Sequence, residues 1–508
     1  MRFPYLANLH AITLAGGLLA FSETDPDLWG HLRFGLDILD SGWPTRVDPY
    51  SYLTQGSTWV NHEWLFELIL GGAWRVGGVW GLNLFKAAVV LGLIAVLFFA
   101  LRRDGWGPIA AGLLLLILTP TLSLGLKQHR PQVFTVVGVA LVVATILSVE
   151  RGQTRRAWLL PLLIAVWGNL HGGVLAGLGL IAVWWAAVLG ETLVELLTTW
   201  QASFARLIQI TLVAIACGLA MIVHPWGWEY PQFLIHEGIG PRPEIADWQP
   251  LSLASGDLRF WSYPILVAGG IILLARCPQP TGWVRPSLFA ALALAPLLAV
   301  RHLPLLVAGW VLLMPWVSII RRDGWLANWE TQTQQSVDQS SILWMTGPLV
   351  LLGVILSQGG TIPHSSTRPL PIESVDLMRR AGVEANLAVD FDWGEYVIWH
   401  LGPNVKVSLD GRRETVYPPA IYRENLRFFH GARTWRGLID RPETDLVLIP
   451  WVRPVGALML GAAPGWVLIH EEAGGGLFAR EGSELAQRLN QAKHDWTPPR
   501  PTNTFPDG

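Results

Sequence analysis

Cysteine is almost missing from this chain: Cys217 and Cys277 are the only two in 508 residues. Both lie in or beside apolar runs, which leaves neither a disulfide framework nor a thiolate metal site. Charge is scarce too. Only 15% of residues are charged, 36 basic against 38 acidic, and a net charge of −2 offers no positive surplus to a polyanion such as nucleic acid. What is there is apolar. With 51% hydrophobic residues and a mean hydropathy of +0.38, the composition is that of a membrane protein.

A crossing takes about 20 mostly apolar residues. Candidates lie near 4–21, 80–101, 106–124, 131–149, 157–170, 172–190, 204–223, 260–276, 284–300, 303–319 and 342–358, so the expected fold is mainly α and polytopic, with about eleven transmembrane helices. The first run follows Arg2 like a signal peptide, but its small residues Ala15, Gly16 and Gly17 sit inside the run and further spans follow; it is expected to be a retained anchor. Trp64–Trp74 is short, holds Glu67 and is followed by Arg75, Gly77 and Gly78. It reads as an interfacial or re-entrant helix. With the amino terminus inside, Arg102–Arg103, Arg151, Arg155–Arg156, Arg206, Arg276, Arg285 and Arg321–Arg322 fall on the cytoplasmic side, as the positive-inside rule requires. The expected location is a bacterial inner (plasma) membrane.

The expected domains are a transmembrane domain over 1–358 with its first outer loop at 22–79, a linker at 359–372, an extracytoplasmic α/β domain at 373–490 and a disordered tail at 491–508. Strands are expected near 387–391, 405–409, 445–449, 466–470 and 476–480, with helices near 373–381, 393–401 and 417–429, a pattern that builds one small sheet with helices on it.

On this topology the outer face collects Asp25, Asp27, His31, Asn61, His62 and Glu63, then Lys127, Gln128, His129 and Arg130, then Asn169, His171, His224, Arg301 and His302. The stretch SETDPDLWGHLRFG at 22–35 carries the first of these. Asp25 suits an N-cap, Pro26 the first helical position and Asp27 the first turn. The helix then runs to Ser41–Gly42 with Leu28, Leu32, Gly35, Leu36 and Leu39 on one face, an amphipathic helix lying along the interface. Asp27 and His31, at i and i+4, can meet one ligand; in the competing reading Asp25 merely caps and Asp27 complements the helix dipole. KQHRPQ at 127–132 offers an anion site, Arg130 as a forked donor beside His129, or a side chain snorkelling to lipid. In DGRRE at 410–414, Arg412 either binds an acceptor or bridges internally to Asp410.

The plan of one span, an outer loop opening on an Asp motif, two interfacial helices, many spans and an outer C-terminal domain resembles the GT-C superfamily of polytopic glycosyltransferases that use lipid-phosphate sugars. DPDLWGHLRFGLDIL, RVDPYSYLTQGSTWVNHEWL and WGEYVIWHLGPNVKVSLDGRRE look more closely like a set of bacterial membrane proteins of that plan. The resemblance implies that Asp25 or Asp27 serves as base or metal ligand. It also implies a second acidic motif in the next outer loop, where this chain has Lys127-Gln128-His129-Arg130 and no acid. A hard divalent cation wants carboxylates, so no cofactor is firmly expected.

The expected function is a glycosyltransferase. A polyprenyl-phosphate sugar donor rests its phosphate on Arg130, His129 and Arg301, while Asp25 or Asp27, oriented by His31 or His62, takes the proton of an extracytoplasmic glycan, lipid or protein acceptor attacking with inversion. Glu63, His171, His224, His302 and Arg412 are expected to line the substrate sites. An inactive GT-C-like interaction protein is the first rival, because the second acid is missing. A lipid or solute transporter is the other, although the ionisable residues gather at one surface and no internal repeat is present.

Overall fold

The computed structural model describes residues 4–200, 203–238, 242, 245–277, 282–316, 328–329, 332–333, 341–358, 361–363, 369–499 and 504–505. The chain divides into two compact units, Met1–Ser22 with Leu82–Gly359 and Glu23–Gly81 with Gly360–Gly508.

The first unit is helical. Its elements are α1 (Pro4–Ala20), the second part of α3 (Trp64–Arg103), α4 (Pro108–Leu126), α5 (Gln132–Glu150), α6 (Leu159–Leu170), α7 (Val174–Thr199), α8 (Ala205–Ala220), α9 (Glu229–Glu237), α10 (Ser262–Ala275), α11 (Val284–Leu298), α12 (Leu303–Leu313) and α13 (Thr346–Gln358). Five described helical stretches are long and apolar enough to cross a membrane, Trp64–Arg103, Pro108–Leu126, Gln132–Glu150, Val174–Thr199 and Leu258–Ala275, and the other apolar helices are shorter. The protein is a multi-pass membrane protein. Ala7, Ala11 and Ala15 recur every fourth residue on the buried face of α1; such small side chains let α1 lie close against α4 and α13. Arg321 and Arg322 lie outside the described residues.

Helix α3 is two helices in one. Gly78 interrupts it with φ 54° and ψ −137°, a conformation that a side chain would oppose. The short Trp64 segment thus ends where Gly77-Gly78 sits in the sequence, and it belongs to the second unit.

The second unit carries a five-stranded mixed sheet in the order β3-β2-β4-β6-β5, with β2 (Ala385–Val389), β3 (Val405–Val407), β4 (Leu446–Pro450), β5 (Trp466–Glu472) and β6 (Gly475–Arg480). β2 runs parallel to β3 and β4, while β6 is antiparallel to β4 and β5. β4 is buried along its whole length, as a central strand with near-continuous apolar residues should be. Helices α14 (Ile372–Arg380), α15 (Phe391–Leu401), α16 (Pro419–Phe429), α17 (Val455–Ala462) and α18 (Glu484–Ala492) complete the pattern.

Three expectations change here. Residues 23–81 belong to the second unit rather than to the helical one: Val407 N–H donates to Tyr50 O and Tyr52 N–H to Val407 O, at 2.9 and 3.3 Å, which extends the sheet edge at β3. Helix α2 (Asp27–Ser41) buries Trp29, Gly30, His31, Phe34 and Ile38 as well as Leu28 and Leu32, and it packs on α15. It is a core helix of this unit, whereas Leu36 and Leu39 are only half-buried. In the expected linker and tail, β1 (Ile362–Pro363) pairs antiparallel with β7 (Thr504–Phe505), and Pro363 O accepts Thr24 N–H at 2.9 Å. Within those two segments, 359–360, 364–368, 500–503 and 506–508 lie outside the described residues.

Candidate functional site

The Asp motif is built as a turn in front of a helix. Asp25 is buried, its Oδ1 accepts Asp27 N–H at 2.9 Å, and its carbonyl accepts Leu28 N–H at 3.2 Å. Asp25 therefore caps from just outside a helix that starts at Asp27. The half-buried Asp27 carries its carboxylate at the positive end of that helix.

Across from this turn stands Glu395, which the sequence reading passed over. It sits on α15 with its Oε2 accepting Gly30 N–H at 3.2 Å. A Cβ on Gly30 would fall 2.2 Å from that oxygen, so any other residue there would displace the Glu395 carboxyl. Gly411 is constrained in the same way: its Cβ would fall 2.5 Å from Glu395 Oε1 and 2.9 Å from Asp27 Oδ1. Two carboxyl groups from opposite ends of the sequence thus flank one glycine. Burial, then the charges of Asp27 and Asp410, push the Glu395 pKa well above the ordinary carboxylate range.

His31 turns away from Asp27 and toward α3. Its Nδ1 lies 3.3 Å from Glu67 Oε1 and its Nε2 3.9 Å from Glu63 Oε2. Asn61 Nδ2 donates to the other Glu67 oxygen at 2.5 Å, and His62 Nε2 lies 3.3 Å from Glu63 Oε1. Burial alone would lower the His31 pKa; the hydrogen bond to Glu67 and the charges of Glu63, Glu67 and Asp27 outweigh it and raise the pKa to about 9. His31 is an imidazolium at neutral pH, held between two glutamates.

Arg412 is drawn inward. Its Nε and Nη2 donate to the two oxygens of Asp410 at 2.9 and 2.7 Å, and its Nη1 donates to Asp48 at 2.7 Å. Tyr417 donates to Asp410 at 2.6 Å and Thr54 to Asp48 at 2.6 Å. The rings of Trp59, Phe34 and Tyr50 surround the guanidinium at 4.8 to 5.3 Å. Of the two readings of DGRRE, this is the internal bridge, extended to Asp48 in RVDPY.

In the first unit the expected residues scatter except at one place. Arg130 Nη1 lies 3.9 Å from Asp247 Oδ2, and Arg301 stacks on the Trp248 ring at 4.6 Å with Arg242 on the same ring at 4.1 Å. Backbone bonds from Val300 N–H to Gln249 O and from Leu251 N–H to Pro296 O, 2.8 and 3.0 Å, fix the segment that carries them. Three guanidinium groups thus gather at Asp247–Trp248. His129, next to Arg130 in KQHRPQ, is buried; burial and the Lys86 ammonium pull its pKa down to about 3, so it is neutral. Lys86 donates to Phe21 O, Ser22 Oγ and Lys127 O at 2.5, 3.2 and 2.7 Å. The remaining residues serve their own neighbourhoods. His171 Nδ1 meets Thr135 Oγ1 at 2.6 Å, His224 stacks on Tyr230 at 3.9 Å, His302 Nδ1 donates to Ala295 O at 3.0 Å, and Asn169 donates to Val223 O at 2.6 Å.

Among the described residues no group of three or more His, Cys, Asp or Glu side chains is arranged to hold a metal.

No family model matches the chain, and no curated protein sequence does. Solved structures do. The apo oligosaccharyltransferase of Archaeoglobus fulgidus aligns with 88% of this chain and 69% of its own at 10% identity and a TM-score of 0.57. Apo ArnT from Cupriavidus metallidurans aligns with 96% of this chain and 98% of its own at 13% identity and a TM-score of 0.56. Both are GT-C membrane glycosyltransferases. This chain has the GT-C fold. The archaeal enzyme AglB, solved with an inhibitory peptide and a dolichol-phosphate, aligns with 87% of this chain and 69% of its own at 11% identity and a TM-score of 0.54. On this GT-C fold, the Asp25-Pro26-Asp27 turn belongs to the second unit and the arginine cluster to the first.

Proposed function

We propose that the protein is a glycosyltransferase that moves a sugar from a polyprenyl-phosphate donor to an acceptor hydroxyl outside the cytoplasmic membrane, with inversion at the anomeric carbon. The observation that carries this reading is the gathering of Arg130, Arg242 and Arg301 at Asp247–Trp248. A guanidinium fork suits a phosphate, and three of them stand at this one segment. They would hold the donor phosphate and stabilise the charge that builds on it as the sugar leaves. The dolichol-phosphate bound by AglB supports a lipid-phosphate donor.

The acceptor proton would pass to Asp27 or Asp25. Asp27 is the more exposed of the two, while Asp25 Oδ1 is taken up by the turn. His31 stands one turn on and, through Glu63 and Glu67, holds the start of α3 against α2; this orients the helix rather than the carboxylate itself. Neutral His129 would contribute hydrogen bonding and no charge.

The test is direct. Membranes containing the full-length chain should consume a polyprenyl-phosphate sugar and release the polyprenyl phosphate, and membranes with Arg130→Ala plus Arg301→Ala should not. Donor binding without turnover under every acceptor tried would favour the inactive reading, for which the acid-free KQHRPQ loop speaks. Movement of intact donor across the bilayer would favour a transporter.

A further inference from the structure

A second cationic site lies in the first unit, away from the arginine cluster at Asp247. Helices α3 and α5 are two of the long apolar stretches, and their carboxyl ends, with the short turn Thr154–Trp158 and Leu312 of α12, enclose a cleft of about 260 Å³. Its polar end is formed by Arg103, Arg151 and Arg156, with Asp104 as the one acid. Its other end is apolar, lined by Val96, Phe99 and Leu147 among others. Phe99 is 54% exposed.

Arginines at such an end are expected from topology alone, so the informative feature is what they do. Arg206, close by, is paired with Glu150 and Glu191 at 2.5 and 2.8 Å, and Arg285 donates to the carbonyls of Leu313 and Met314 at 2.7 and 3.3 Å. Arg103, Arg151 and Arg156 form no ion pair among the described residues; the last makes one long bond, 3.4 Å, to Ser148 Oγ. Three exposed guanidinium groups facing one carboxylate, at the end of two apolar helices and continuous with an apolar wall, match an amphiphile with a negative head and a hydrocarbon tail.

We propose that this cleft binds an anionic phospholipid of the bilayer, its phosphate on Arg103, Arg151 and Arg156 and one acyl chain along Val96, Phe99 and Leu147. The site is independent of the proposed transfer reaction.

The full-length chain is reconstituted in phosphatidylcholine discs with and without phosphatidylglycerol, and the lipid retained on detergent extraction is counted by native mass spectrometry. The chain should retain phosphatidylglycerol selectively. The triple variant Arg103→Gln, Arg151→Gln, Arg156→Gln should lose that selectivity by about tenfold or more, each arginine near a lipid surface being worth several-fold. Ala144→Phe, which fills the cleft without altering charge, should lose it too and remains informative if the triple variant fails to insert. Arg155→Gln, a neighbouring exposed arginine outside the cleft, should retain it. Equal retention by wild type, Ala144→Phe and Arg155→Gln would overturn the proposal, leaving the arginines as topology signals. Displacement of the retained lipid by polyprenyl phosphate at equal concentration would overturn it as well, by giving the cleft to the donor.

Discussion

The two units of the molecule handle charge in opposite ways. In the first, ionisable side chains are met by backbone carbonyls or by side chains of the same unit, as Lys86 is by Phe21 O and Lys127 O or Arg206 by Glu150 and Glu191. In the second, groups from residues 25–67 and residues 390–417 satisfy each other: the Asp48 carboxylate accepts from Arg412, and Glu395 accepts the Gly30 N–H. An apolar helix needs no distant partner to be stable in a bilayer because its backbone bonds close within it. The helix that follows Asp25 and Asp27 has one in the C-terminal part of the chain, where Glu395 accepts Gly30 N–H. The first stretch of polar sequence and the last therefore belong to one unit, although the helical unit separates them along the chain.

The largest way to break that contrast is Arg412→Ala. It would leave Asp48 and Asp410 buried and unpaired, at a cost of about 3–5 kcal/mol. The second unit should lose its cooperative unfolding, seen as early proteolysis within 23–81 and 369–499, while the helical content of the first unit persists. Normal protease resistance would show that the two stretches do not depend on each other.

The next test uses pH. His31 has its pKa raised to about 9 in the folded state from an ordinary 6.5, so its contribution is fully present below pH 6.5 and disappears as pH rises through about 9. The linked stability is about 3 kcal/mol at most. Thermal unfolding of the full chain should show a fall over that window, and His31→Gln should flatten it. A slope of equal size in the variant would mean that other groups set it.

Catalysis supplies the third. Asp27→Asn should cut transfer about a hundredfold if this carboxylate is the base, with at most about 1 kcal/mol lost from the helix start. Asp25→Asn keeps the capping oxygen and should leave stability intact; its effect on turnover decides between the two acids. Full activity in both single variants and in the double variant would end the carboxylate-base proposal.

The smallest expected effect is in the first unit. Arg301→Ala should weaken donor affinity about tenfold, and Arg130→Lys less, because charge survives while the fork is lost, and neither should shift the melting of the second unit. Unchanged donor affinity in both would leave these residues to the lipid interface and to Trp248.

Much of this architecture was legible in the residues alone. Long apolar runs must become helices in a membrane, and a helix falls on every run expected; WGLNLF follows a glycine pair that interrupts α3 where the sequence breaks its pattern; the strand and helix segments after residue 370 recur within a few residues of their expected places. These are local matters, decided by hydropathy, periodicity and turn residues over a dozen positions. The partnerships were not local. Asp27 and His31 share a helix face in the sequence, yet His31 goes to Glu63 and Glu67; Arg412 bridges 364 positions to Asp48; Glu395, one of two acids in its helix, gives no sign of its neighbour at Gly30. Hydrogen bonding and charge pairing act over a few ångströms whatever the distance along the chain, and only the tertiary fold decides which groups are brought that near.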